Sequence, residues 1–74
     1  MYPIDNVMKI MKEIKKFYKD KMYFSVWYNR VSITLIEDGK ANEKSFSINE
    51  VLGWFNNPIF YFKRSWIERN DYNC

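Results

Sequence analysis

The interval between apolar residues changes at Met22, and that change narrows the fold to one class. From residue 4 to 19, Ile4, Val7, Met8, Met11, Ile14 and Tyr18 recur at three- and four-residue spacings, with Ile10 and Phe17 widening the stripe. This period lines one side of an amphipathic helix. Pro3 suits a first helical turn, and Asp5 complements the positive end of the helix dipole. From Met22 the interval is two. Met22, Phe24, Val26 and Tyr28 point one way, and Tyr23, Ser25 and Trp27 the other, as in a strand. Val31, Ile33 and Leu35 alternate with Ser32, Thr34 and Ile36 in a second run. The phase slips by one residue across Asn29–Arg30, which reads as a tight two-residue hairpin turn or a bulge. Asp38-Gly39 is a turn signal. Lys44, Phe46 and Ile48 then alternate in a short third strand over Glu43–Ile48.

Ser47-Ile48-Asn49-Glu50 matches a capping box: the Ser hydroxyl accepts from the third helical amide and Glu50 reaches back to the cap. Val51, Leu52 and Phe55 make this a helix of about two turns. Asn57 then caps a final helix with Pro58 at its first position. Its buried face carries Ile59, Phe62 and Trp66, widened by Phe60 and Ile67, although residues 59–62 alone also fit a buried strand. The expected fold is α+β: a helix, a three-stranded antiparallel sheet and two short helices, with the helices on one sheet face or on both. Residues 1–74 form a single domain, with 70–74 a frayed tail.

Only chemistry that needs neither imidazole nor a positioned thiol is open to this chain. It has no His, and its one Cys is Cys74. Nucleophilic and general acid–base catalysis mostly recruit those groups, and four zinc ligands cannot be assembled from them. Glu37-Asp38-Gly39 lacks calcium-loop spacing, and there is no Gly-rich phosphate loop. We therefore expect no enzyme, no metal and no cofactor. A lone Cys fits a cytosolic protein better than a disulfide-stapled secreted one. No signal-peptide pattern or membrane-length apolar run is evident, so a soluble protein that does not enter a membrane is expected.

What remains is contact surface. Six Phe, six Tyr and three Trp stand among 74 residues, and six of the thirteen residues from Trp54 to Trp66 are aromatic. So small a domain buries only roughly 60% of its unfolded surface, and large rings left over form patches. Phe17, Phe24, Phe46, Phe55, Phe62 and Trp66 are expected in the core. Tyr23 and Trp27 alternate with Ser25, near Ser32 and Thr34, so they are core filler or the rings of a half-wet contact face. The partner-binding residues expected on this basis are Tyr23, Trp27, Arg30, Trp54 and Tyr61.

Charge suggests the alternative. Net charge is +3, and residues 1–21 carry six Lys against three acids. Lys9, Lys12, Lys16 and Lys19 lie opposite the apolar stripe, as a solvated helix face or as contacts to phosphate. With Lys63, Arg64 and Arg69 they are the residues expected to bind if the partner is a nucleic acid.

Two resemblances bear on function. The run Ser47-Ile48-Asn49-Glu50-Val51-Leu52-Gly53-Trp54-Phe55, followed by Lys63, Arg64, Trp66, Ile67 and Arg69, resembles the helix pair of excisionase-type and MerR-type DNA-binding domains. It departs in the second helix, whose opening Pro58-Ile59-Phe60-Tyr61-Phe62 is too apolar for a DNA groove. The whole chain, in length, element order and Lys-, Asn-, Ile- and Tyr-rich composition, is similar to small anti-CRISPR and other anti-defence proteins of phages from low-GC bacteria. That likeness implies a stoichiometric inhibitor of a host nuclease or other defence protein in the bacterial cytosol. DNA mimics in that group are acidic and this chain is basic, so the implied mode is occlusion of a protein surface. As an assembly the chain is expected to be a monomer or a homodimer. A two-fold would cover the short third strand, while Lys44 blocks that edge.

Overall fold

The computed structural model describes residues 3–69. Its elements are α1 (Pro3–Tyr18), β1 (Met22–Val26), β2 (Arg30–Glu37), β3 (Lys40–Ser47), α2 (Ile48–Leu52) and α3 (Pro58–Glu68), with a short 3-10 turn, Lys19–Lys21, between α1 and β1. The fold is α+β in the expected order. The tail expected at 70–74 lies outside the described residues.

The sheet is an antiparallel meander with β2 in the centre. Its two turns differ. Glu37 pairs with Lys40, and Asp38 and Gly39 between them both have positive φ (54° and 76°), the primed geometry that matches strand twist. The β1–β2 turn falls at Tyr28–Asn29, one residue earlier than the phase slip suggested: Val26 pairs with Val31, and the Trp27 amide donates to the Arg30 carbonyl at 2.8 Å. The slip is therefore a hairpin and not a bulge. The third strand is longer than expected and starts at Lys40. Its first half, Lys40-Ala41-Asn42-Glu43, is exposed and polar at an edge, so no hydrophobic alternation marks it. Ile48 leaves the strand and opens α2, because the Ser47 hydroxyl accepts from the Glu50 amide and turns the chain.

All three helices cover one face of the sheet. Val7, Ile10, Met11 and Ile14 of α1, Val51, Trp54, and Phe62 and Trp66 of α3 close over Met22, Val31, Ile33, Leu35 and Phe46. Burying a side chain of this size stabilises by about 1.5–3 kcal/mol, and this layer holds the fold together. Residues 59–62 are helical: Asn57 Oδ1 accepts from the Phe60 amide at a long 3.5 Å, and Pro58 occupies the first turn.

Several side chains go elsewhere than the pattern predicts. Phe17 and Phe55, expected in the core, are 54% and 62% exposed, and Phe24 is only partly buried. Phe60 and Ile67 face solvent and do not widen the buried face of α3. Lys44 points inward. Its ammonium donates to the carbonyls of Trp66 (2.8 Å) and Arg69 (2.9 Å) and lies 4.7 Å from the Trp66 ring centre, closing the C-terminal end of α3. Glu50 does not complete the capping box, because its carboxylate accepts from Arg69 instead.

Candidate functional site

With every helix of the described residues on one side, nothing among those residues covers the other face of the sheet. The strand registers assemble it in rows. Tyr23, Thr34 and Glu43 form one row, Ser25, Ser32 and Ser45 the next, and Arg30 pairs with Ser47 in the third, with Trp27 opposite Arg30. The hydroxyls of Thr34, Ser25, Ser32 and Ser45 and the Glu43 carboxylate thus lie in the two rows between the Tyr23 and Trp27 rings. Ser32 donates to Glu43 across the face, which holds the central polar strip in place.

Tyr23 and Trp27 are 52% and 60% exposed, and Tyr28, at the turn, is almost entirely so. The Tyr23 ring is held by Lys15, whose ammonium sits 4.4 Å from the ring centre while donating to the Met22 carbonyl. A cation held over a ring in this way reduces the ordering that binding would otherwise require. Arg30 is exposed and forms no ion pair among the described residues. Tyr23, Trp27 and Arg30 therefore share one surface.

The other two expected contact residues do not join them. Trp54 is 3% exposed. Its ring packs edge-on to Phe46 (5.2 Å between centroids) and Phe62 (5.6 Å), and its indole N–H donates to the Ser65 hydroxyl at 3.1 Å. It is a core residue and cannot be a surface anchor. Tyr61 is exposed, but on α3, in the layer that covers the opposite sheet face, where it packs edge-on to Phe60.

The basic residues also divide. Lys9, Lys12, Lys16 and Lys19 are exposed, and Lys16 approaches Glu13 at 3.9 Å. The C-terminal trio is occupied within the fold: Lys63 lies 5.0 Å from the centre of the Phe17 ring, and Arg64 bonds Glu68 at 3.2 Å. Arg69 pairs with Glu50 and stacks 4.7 Å from the Phe46 ring centre. Of this trio Lys63 lies beside the lysine face of α1, over Phe17, while Arg64 and Arg69 are engaged by carboxylates of their own region.

Sequence reasoning missed a groove of about 200 Å³ lined by Tyr18, Leu35, Glu37, Phe62, Lys63, Trp66 and Ile67. Burial there, reinforced by the Glu37 carboxylate, raises the Tyr18 phenol above its usual 10.0. The residues come from three elements, and no local pattern links them. Among the described residues no three His, Cys, Asp or Glu side chains converge as metal ligands, and no helix is long and apolar enough to cross a membrane. No protein family, curated protein or solved structure matches the chain.

Proposed function

We propose that this chain is a non-catalytic binding protein that docks a partner protein on the bare face of its sheet, through Tyr23, Trp27 and Arg30. The observation that carries the reading is the face itself: two half-exposed rings and an exposed Arg around a strip of hydroxyls, with no ion pair to that Arg and no helix over the face among the described residues. Tyr, Trp and Arg dominate binding energies at protein interfaces, and a ring flanked by hydroxyls tolerates water until a partner arrives. The resemblance in size and element order to small phage-encoded anti-defence proteins extends the proposal. The partner is then a host nuclease or other defence protein, inhibited by occlusion in the bacterial cytosol.

Affinity capture from bacterial lysate tests the face. A Tyr23→Ala/Trp27→Ala pair should lose the partner that the wild type retains. Equal recovery of one partner by both proteins would remove the sheet-face assignment.

The alternative, nucleic-acid binding, draws on the exposed lysines of α1. Salt separates the two readings. Phosphate-driven binding through six or more contacts weakens by orders of magnitude between about 50 and 200 mM salt. An aromatic protein interface changes little. Tight duplex or single-strand binding lost on Lys12→Glu/Lys16→Glu would reverse the ranking.

A further inference from the structure

The two edges of the sheet are not equivalent. The Trp27 amide bonds to the Arg30 carbonyl, and bonded and non-bonded pairs alternate along an antiparallel ladder. Ser25 and Tyr23 therefore also direct their backbone groups toward β2, and Met22, Phe24 and Val26 direct theirs away from it. Lys15 already donates to the outward Met22 carbonyl. Among the described residues no hydrogen bond reaches the outward N–H or C=O of Phe24 or Val26.

By the same alternation β3 presents Ala41, Glu43, Ser45 and Ser47 outward, and it is defended by charge. A second copy pairing with it about a two-fold centred on Asn42 would set Lys40 against Lys44. Centring on Glu43 would oppose two carboxylates, and centring on Lys44 two ammoniums. An inward-pointing charge such as Lys44 is itself a device that discourages edge pairing. On β1 the one such device among the described residues is Lys15, which crosses the edge at the Met22 end to reach the Tyr23 ring and leaves the outward groups of Phe24 and Val26 unbonded. Met22-Tyr23-Phe24-Ser25-Val26 has no charge and no Pro, and its residue types favour strands.

We infer that the free edge of β1 accepts an extended segment of the partner protein as a fourth strand, with Phe24 and Val26 supplying the backbone hydrogen bonds. This rests on the binding function proposed above and specifies its mode. Tyr23 and Trp27, flanking Ser25 on the bare face, would receive alternate side chains of the added strand. The chemistry of that segment follows from what surrounds the Met22 end. Lys15 reaches it, Lys12 stands one helical turn before Lys15 on α1, and Lys21 immediately precedes Met22; none of the three is in an ion pair among the described residues. The incoming strand is alternately apolar, with carboxylates where it passes Met22. A second copy of this chain fits worse. Antiparallel pairing about Phe24 would bring the turn bearing Arg30 of each copy toward Lys15 and Lys21 of the other, cation toward cation twice.

Amide hydrogen exchange and backbone N-methylation test this on the full chain. In the free protein the amides of Tyr23 and Ser25 should be protected while those of Phe24 and Val26 exchange fast; the reverse pattern overturns the inference. Peptides selected from a displayed library of random short sequences on the immobilised protein serve as probes. Binders should be alternately apolar and acidic and should slow Phe24 and Val26 exchange. Chemically synthesised protein with N-methyl groups at Phe24 and Val26, which keeps both side chains and the β1–β2 ladder, should bind them roughly tenfold or more weakly, since donors worth a net hydrogen bond each are gone. Lys15→Gln should weaken the acidic binders selectively. Binders lost on Tyr23→Ala/Trp27→Ala yet indifferent to N-methylation would overturn strand addition and leave the face reading standing. Protection of the two amides that grows with protein concentration alone would give the edge to a second copy and overturn the foreign segment. Failure to select any binder sensitive to either change overturns both.

Discussion

Replacing Lys44 with Met separates two roles that the same residue could have on β3. A solvent-facing lysine guarding an edge costs almost nothing to remove, because surface substitutions stay within about 0.5 kcal/mol. The structure instead turns Lys44 inward onto the carbonyls of Trp66 and Arg69, at 2.8 and 2.9 Å, beside the Trp66 ring. Hydrogen bonds from a charged donor contribute about 1.5–3 kcal/mol each. Lys44 is only partly buried, so water can re-solvate the carbonyls in its absence, and roughly half of that sum should survive as a net loss. A cation at the C-terminal end of α3 adds about 0.3–1 kcal/mol. Met keeps the aliphatic packing, which confines the change to the ammonium. Lys44→Met should therefore destabilise by about 2 kcal/mol. For a domain of this size that lowers Tm by roughly 8–15 °C. Urea unfolding followed by tryptophan fluorescence measures it, as a lower midpoint with an unchanged slope. A loss below about 0.5 kcal/mol would refute the capping role and return Lys44 to the surface.

Other expectations follow from the same contacts. Gly39→Ala should cost about 1–2 kcal/mol in the same assay although a Cβ there meets nothing within 4 Å, because φ is +76° and the strain is purely backbone. Lys19, which follows α1 at φ 57°, should show the opposite sign, with Lys19→Gly gaining up to about 1 kcal/mol. Tyr18 holds its proton more tightly folded than unfolded, so its contribution is complete below pH 10 and is lost as pH rises through the raised folded pKa. Wild type should therefore lose more stability in that alkaline range than Tyr18→Phe, as judged by parallel urea titrations. Light scattering across a dilution series under reducing conditions should give a constant mass near 9.2 kDa; a mass that rises with concentration would contradict a β1 edge kept for a foreign strand.

The elements were legible because their signals are local. The change of period at Met22 separates α1 from the sheet. Asp38-Gly39 supplies two residues able to take positive φ, and Ser47 and Asn57-Pro58 cap the helices that follow them. Such preferences act over three or four residues, so a linear reading recovers them. Even the missed half of β3 has a local cause, since an exposed edge strand needs no apolar alternation.

The binding face was only half legible. Alternation about Ser25 placed Tyr23 and Trp27 on one side of β1, but whether a helix covers that side is a property of the whole packing. Trp54 and Phe55 are neighbours of similar apolar character, yet one is 3% and the other 62% exposed. Their fates differ because Phe46, Phe62 and Ser65 close around the first, and nothing in residues 47–57 encodes where those partners stand. Lys44 and Arg69 belong to the same case. Each reads as a surface cation, and each is drawn inward by carbonyls, rings or a carboxylate that only the tertiary fold brings within reach. Backbone conformation is chosen over a few bonds, but exposure is chosen by contacts tens of residues apart.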